Sequence, residues 1–168
     1  THISLAHGNG GRFMRELIEQ VFARHLSNPL LDIQSDAVAL PIDGGEIMFT
    51  TDGFTVQPLE FPGGDIGSLA VHGTINDLAV AGAKPLYLSL NAFIEEGLEL
   101  AQLDRLIASL ARAAKDAGVQ VVAGDTKVMG SLSWVLQFTA CLAAVNLRGQ
   151  LGRQPDHTLS GRARPPAC

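Results

Sequence analysis

The side chains best placed to do chemistry in this chain are carboxylates set beside glycines. Asp52 precedes Gly53, Asp77 closes the segment Gly73-Thr74-Ile75-Asn76-Asp77, and Asp125 follows Gly124. Gathered in one place, three such carboxylates would hold Mg²⁺ and with it the phosphates of a nucleotide, because Mg²⁺ takes oxygen ligands and bridges them to phosphoryl oxygens. Lys127, two residues past Asp125, could neutralise phosphate charge. His7-Gly8-Asn9-Gly10-Gly11 is a second candidate. Small residues just before a helical pattern let backbone N–H groups approach an anion at the positive end of the helix dipole. The spacing matches neither a Walker A loop nor a dinucleotide fingerprint. Each signal also has a plain structural reading. Asp52 and Asp125 serve as strand terminators, Asp77 as a solvated helix residue, Lys127 as a surface lysine, and the glycine run as a turn. His7 and His72 are isolated histidines beside glycine, and no GxSxG, HExxH or paired metal-spaced histidines occur. That pattern weighs against a hydrolase or a zinc enzyme.

The elements that must position these residues alternate between helix and strand. Phe13, Met14, Leu17, Ile18, Val21 and Phe22 recur at helical spacing, which predicts a helix over residues 11–26 that Asn28-Pro29 ends. Residues 37–42 and 46–51 read as strands joined by a tight turn at Asp43-Gly44-Gly45. A helix over residues 65–81 is bounded by Asp65, suited to a helix start, and by Gly82, suited to its end. A strand at 86–93 follows, then an amphipathic helix at 99–117 ending at Gly118. A strand at 119–123 terminates at Gly124-Asp125-Thr126-Lys127, and another runs over 133–145. The expected fold class is α/β (α+β). Strands 46–51, 86–93, 119–123 and 133–145 share one mixed sheet, with helices 11–26 and 99–117 on one face. Strands this apolar need cover beyond what the helices supply, so the expectation is a homodimer formed through the sheet.

Composition narrows the classes of function. With 168 residues, 46% of them apolar and 17% charged, the chain can bury one sizeable core. No run approaches the ~20 apolar residues of a membrane span, and the start lacks the order of a signal peptide, so a soluble, cytoplasmic protein is expected. The only cysteines, Cys141 and Cys168, form no CxxC pair, which leaves oxygen ligands for any metal. Residues 1–147 carry 8 basic and 16 acidic side chains, a net −8, and residues 148–168 carry 4 and 1, a net +3. An acidic body argues against nucleic-acid binding and leaves nucleotides open through Mg²⁺. The domain reading is 1–147 as one folded domain and 148–168 as a frayed, basic, proline-containing tail.

Taken together and in order, the motifs resemble a known family. His7-Gly-Asn-Gly-Gly11, Thr51-Asp52-Gly53, Phe61-Pro-Gly-Gly-Asp-Ile-Gly67, Gly73-Thr-Ile-Asn-Asp-Leu-Ala79, Gly82-Ala-Lys-Pro-Leu-Tyr-Leu-Ser89, Glu95-Glu-Gly97 and Gly124-Asp-Thr-Lys-Val128 resemble the HypE-type hydrogenase maturation proteins. These are members of the aminoimidazole-ribonucleotide-synthetase-like (PurM-like) superfamily, and the resemblance covers residues 2 to about 129. It implies an ATP-dependent dehydratase serving cyanide-ligand synthesis for [NiFe]-hydrogenase. A HypF-type carbamoyltransferase would load a carboxy-terminal cysteine, and a HypC–HypD scaffold would receive the cyano group. ATP turns the carbamoyl oxygen into a phosphorylated leaving group, and its loss leaves a thiocyanate.

Carried onto this chain, the resemblance assigns Gly8, Asn9, Gly10, Gly11, Asn76 and Lys127 to nucleotide binding. It assigns Asp52, Asp77 and Asp125 to Mg²⁺, with Asp36 as a further acidic position, and it implies pairing of two chains through the sheet. Past Met129 the resemblance thins, and the family's second α/β domain is expected to be absent. The chain closes on Arg164-Pro165-Pro166-Ala167-Cys168 where the family closes on Pro-Arg-Ile-Cys, so Cys168 is a candidate carbamoyl acceptor and equally a chance exposed cysteine. Two other readings stand beside this one. One is a non-catalytic, nucleotide-binding dimerisation module of the same fold, and the other is a superfamily enzyme of the selenophosphate or thiamine-phosphate type.

Overall fold

A computed structural model describes residues 2–35, 40 and 47–130, together with the backbone of 137–146. Its centre is a four-stranded sheet in the order β1 (Ile47–Thr55), β6 (Gln137–Asn146), β4 (Ala83–Glu95), β5 (Gln120–Met129). β6 runs antiparallel to both neighbours, and β4 and β5 are parallel, so the sheet is mixed as expected. The short strands β2 (Glu60–Phe61) and β3 (Gly64–Asp65) form a separate hairpin. The hairpin expected over residues 37–51 lies largely outside the described residues, as do residues 147–168.

Among the described residues, one face of the sheet carries all the helices. In β4, Leu88, Leu90, Ala92 and Ile94 are buried, while the alternate Tyr87, Ser89, Asn91 and Phe93 are half-buried on the other face. That period of two is what a sheet covered on one side imposes. The first helix begins as α1 (Arg12–Leu17), passes through a π-helical stretch (Ile18–Ala23) and closes as α2 (Arg24–Leu26). The π stretch is absent from the expectation for 11–26, because it keeps the apolar spacing of the ordinary helix on either side. α4 (Leu100–Asp116) crosses between the parallel strands β4 and β5, as their common direction requires. It buries Leu103, Leu106, Ile107 and Leu110 completely. α3 (Ile66–Ala81) packs against α4 and across β1, β6 and β4.

The ends of α3 follow from single residues. The Asp65 carboxylate accepts from the Ser68 N–H at 2.9 Å, the Ser68 hydroxyl accepts from the Asp65 N–H at 3.2 Å, and together they satisfy two first-turn donors. Gly82 takes a φ of 77°, the left-handed turn that ends a helix most cheaply at glycine.

Two expected boundaries require correction. β1 continues through Asp52 to Thr55, and β5 continues through Asp125 and Lys127 to Met129, so neither aspartate ends a strand. The continuation of β5 depends on Gly124, where a Cβ would come within 2.2 Å of the Leu90 carbonyl oxygen. Only glycine lets the two strands lie that close. No helix among the described residues is long and apolar enough to cross a membrane.

Candidate functional site

The structure brings the candidate residues together in two groups. The first joins β1 to α3. The Thr50 hydroxyl donates to the Asp77 carboxylate at 3.3 Å, and the Phe54 ring lies against Gly73, where a Cβ would come within 2.4 Å of it. Thr50 and Phe54 therefore both face α3, and Asp52, midway between them on an extended strand, shares that face. Asp52 is half-buried and accepts from the Gly53 N–H at 2.7 Å, while Asn76 and Asp77 are exposed on the helix. Carboxylates on the facing sides of β1 and α3, one half-buried and one exposed, suit Mg²⁺, which is commonly held by one or two carboxylates plus phosphate oxygens. Thr50 was not among the sequence candidates. Its signal was available, since it sits two residues before Asp52 and so on the same side of the strand.

The second group joins the amino-terminal glycine run to β5. Gly8 ends a 3-10 turn (Leu5–Gly8) and lies so close to β5 that a Cβ would sit 2.8 Å from the Val128 Cβ and backbone nitrogen. Asn9 holds the turn, its side-chain amide directed at the Ala6 and Leu5 carbonyls at 2.7 and 3.1 Å. Gly10 has a φ of 75°, and Gly11 starts the helix without a side-chain cap. The first-turn N–H groups of α1 are therefore not satisfied by a capping side chain. The Met14 sulfur accepts from the Gly10 N–H at 3.2 Å. His7 is occupied structurally. Its Nδ1 accepts from the Ser4 N–H at 3.1 Å, and its ring lies 5.8 Å from that of Phe13. On β5 the Lys127 ammonium pairs with the Asp125 carboxylate at 3.0 Å, and the Thr126 N–H donates to Asp125 at 2.8 Å. Thr126 is buried beneath the helices, so Asp125 and Lys127 on either side of it face the open side of the sheet.

The two groups are not one cluster within a single chain. Asp52 pairs with Ala140, Ala140 with Leu90, and Leu90 with Gly124, so Asp52 and the Gly124–Asp125 turn of sequence lie at similar heights on opposite edges. Three inter-strand steps of ~4.8 Å place them about 14 Å apart. No three His, Cys, Asp or Glu side chains among the described residues converge as a metal site. His72 is exposed on α3, and Asp36 and Cys168 lie outside the described residues.

Two ion-pair groups fix the frame around these residues. The Arg105 guanidinium grips the Glu60 carboxylate at 2.9 and 3.0 Å, and Gln102 donates to it at 3.2 Å. The Arg105 hydrogen bonds are the main cause holding the Glu60 carboxyl below the usual range, against a small desolvation penalty. Asp104 on α4 takes His25 at 2.8 Å and also Arg24, which ties the end of the first helix to α4. Burial pushes the Asp104 carboxyl up, but the His25 hydrogen bond and the charges of Arg24 and His25 together outweigh it and hold it low.

This arrangement of a one-sided mixed sheet, a capped apolar helix bearing Asn76-Asp77 and a glycine run against β5 agrees with comparison to known proteins. The chain belongs to the AIR synthase related family, whose N-terminal domain matches residues 34–145. Within that family its likeness is to HypE. It is 53% identical over 127 residues to the carbamoyl dehydratase HypE of Azotobacter vinelandii, an alignment covering 76% of this chain and 37% of that one. A crystal structure of hydrogenase maturation protein HypE in complex with ATP matches with a TM-score of 0.78 and 45% identity, covering 83% of this chain and 42% of that one. A HypE–HypF complex matches with a TM-score of 0.56 and 48% identity, covering 77% and 42%. The chain thus spans less than half the length of these relatives.

Proposed function

We propose that this chain is the nucleotide-binding domain of a HypE-type carbamoyl dehydratase, acting in the cytoplasm as a homodimer in [NiFe]-hydrogenase maturation. The reaction would convert an S-carbamoyl cysteine to a thiocyanate, with a HypF-type protein as carbamoyl donor and a HypC–HypD scaffold as cyanide acceptor. The observation that carries the reading is the seating of Gly8 against Val128, which lays the glycine run and the uncapped start of the first helix against the end of β5. Backbone N–H groups and a helix dipole meet there, and each favours phosphate, with Lys127 on the other face of the same strand as a further cation. The crystallised relative that binds ATP supports the same ligand.

Asp52 and Asp77 are the residues that would hold Mg²⁺, steadied by the Thr50 hydroxyl on Asp77. When bound, the ion supplies charge neutralisation for phosphoryl transfer to the carbamoyl oxygen. Asn76, exposed beside Asp77, adds a neutral hydrogen-bonding group at the same place. The protein's own contribution is position: the capped α3 and the strand β1 fix the two carboxylates, and the glycine run fixes the donors.

The test is calorimetric titration of ATP with Mg²⁺ into the parent and an Asp77→Asn variant, with circular dichroism as a fold control. Loss of one ligand carboxylate at a well-folded site should weaken ATP·Mg binding several-fold or more, since a charged oxygen binds Mg²⁺ better than a neutral one. Equal affinity in two folded proteins would make Asp77 a solvated helix residue and remove the metal site as drawn.

A further inference from the structure

The turn that closes β4, Glu95-Glu96-Gly97, belongs to neither group of candidate residues, yet it holds the segment that leads into the glycine run. The Leu98 N–H donates to the Glu95 carbonyl at 3.3 Å, and Gly97 takes a φ of 98°, the positive value that the third residue of a type II turn demands of glycine. The turn is fixed to the sheet, because the Glu96 N–H donates to the Met129 carbonyl at 2.9 Å at the end of β5. Residues 3–8 are bracketed against this corner. Ile3, which is buried, donates its N–H to the Leu98 carbonyl and accepts from the Gly97 N–H, both at 2.8 Å. Gly8 then closes against Val128, the neighbour of Met129.

Between these two fixed points the chain makes the 3-10 turn Leu5–Gly8, and Glu96 reaches it directly. Its carboxylate accepts from the Leu5 N–H, the first donor of the turn, at 3.0 Å. A first-turn N–H has no acceptor inside its own helix, so an outside oxygen must supply one, and a charged oxygen does so more strongly than a neutral one. This hold matters because the glycine run itself has few neighbours. An added Cβ at Gly10 or Gly11 would meet nothing within 4 Å. Glycine has the most backbone freedom to lose, so the N–H groups of the run keep one direction only where the chain on either side is held. α1 follows the run, and the Leu5–Gly8 turn precedes it. We infer that Glu96 is a positioning residue for phosphate binding, a buttress whose carboxylate fixes the turn that aims the N–H groups of the glycine run. The inference rests on the nucleotide reading above, and it adds a residue that acts through the backbone rather than on the ligand. The charge of Glu96 alone would act the other way, by repelling phosphate, and substitution separates the two effects.

Glu96 is exposed, so replacing it spares the core. Glu96→Ala removes both charge and acceptor, whereas Glu96→Gln removes the charge and keeps an acceptor oxygen. ATP with Mg²⁺ is titrated calorimetrically into the parent and both variants, with thermal unfolding as the fold control. Glu96→Ala should weaken binding about threefold to tenfold at unchanged Tm, the scale of one hydrogen bond, and Glu96→Gln should bind within about twofold of the parent. Undiminished binding by Glu96→Ala overturns the inference, and tighter binding by both variants would make Glu96 only a charge that repels phosphate. Equal weakening by both also overturns it, since charge and not the hydrogen bond would then be at work. Hydrogen exchange on the unliganded chains gives an independent reading. Exchange in residues 5–11 should be about threefold or more faster in Glu96→Ala and parent-like in Glu96→Gln. Rates that Glu96→Ala leaves unchanged overturn the buttress whether or not ATP binds. A parent that binds no ATP, with exchange altered as expected, overturns the nucleotide reading and leaves Glu96 holding the turn.

Discussion

Replacing Gly67 with alanine sets two effects of opposite sign against each other. Gly67 is buried in the first turn of α3. Intrinsic helix preference alone makes Gly67→Ala stabilising by ~0.5–1 kcal/mol. The packing says otherwise. A Cβ at Gly67 would lie 2.3 Å from the Leu106 carbonyl oxygen, 3.1 Å from the Leu110 nitrogen and 3.0 Å from the Asp65 carboxylate that caps the helix. Two of these are backbone atoms of α4, which cannot rotate away as a side-chain tip can. Relief of a contact more than an ångström too short needs α3 and α4 to part where Ile66, Ala70, Leu106 and Leu110 are fully buried. Overpacking of this kind costs ~1–3 kcal/mol, occasionally more, and exceeds the helix-preference gain. For a domain of this size the expected fall in Tm is on the order of 2–8 °C. Gly130→Ala is the control, because nothing lies within 4 Å of its added Cβ. Thermal unfolding by circular dichroism reads both. An unchanged or raised Tm for Gly67→Ala would refute the close α3–α4 approach.

Gly8→Ala should weaken ATP·Mg binding several-fold with little change in Tm, because the added methyl displaces the glycine run from Val128 and not the core; calorimetry and thermal unfolding together check this. The Glu60 and Asp104 carboxyls both titrate lower in the folded chain than in the unfolded one. Their contributions are therefore intact above about pH 4 and are lost as the pH falls through the folded-state values. Chemical denaturation from pH 6 to 2.5 should show that loss, and Asp104→Asn should flatten it. The uncovered sheet face exposes Ile47 by 53% and Phe49 by 68%, so sedimentation at micromolar concentration should give a dimer, and Phe49→Glu should give a monomer. A monomeric parent would exclude pairing through the sheet at that concentration.

Where local chemistry decides the outcome, the sequence was readable. α4 announces itself through Leu103, Leu106, Ile107 and Leu110 at helical spacing, and all four are buried. α3 is apolar nearly all round and has a weak periodicity, yet Asp65 and Gly82 fix both its ends. What failed were judgements that depend on a neighbour. Gly124-Asp125 looks like a strand terminus because both residues disfavour strands, but Leu90 on β4 presses close enough to require the glycine, and the aspartate points to the open face. The Glu60–Arg105 pair joins residues far apart in sequence, so no local pattern signals it. The carboxylates of the candidate site divide in the same way. Thr50 meets Asp77, and Asp52 comes to share that face, because β1 lies under α3, a contact invisible in either segment alone.

The separation of those carboxylates from Asp125 bears on how the domain can work. β6 and β4 intervene between the two edges, and Asp52 faces the helices while Asp125 faces away from them. No side-chain rotation closes a gap of about 14 Å across two faces of a sheet. Asp125 and Lys127 also satisfy each other at 3.0 Å, which lowers the call of that carboxylate on a metal in the isolated chain. On the proposed reading, the groups by the glycine run and the Asp52–Asp77 pair under α3 would be two half-sites within one chain. The open face that carries Asp125 is the same face whose exposed Ile47 and Phe49 ask for cover. Pairing through that face, as proposed, would cover Ile47 and Phe49 and enclose Asp125 and Lys127, while Asp52 and Asp77 would stay on the helix side of the sheet. A monomeric variant such as Phe49→Glu that bound ATP·Mg as tightly as the parent would show that the site does not need that pairing.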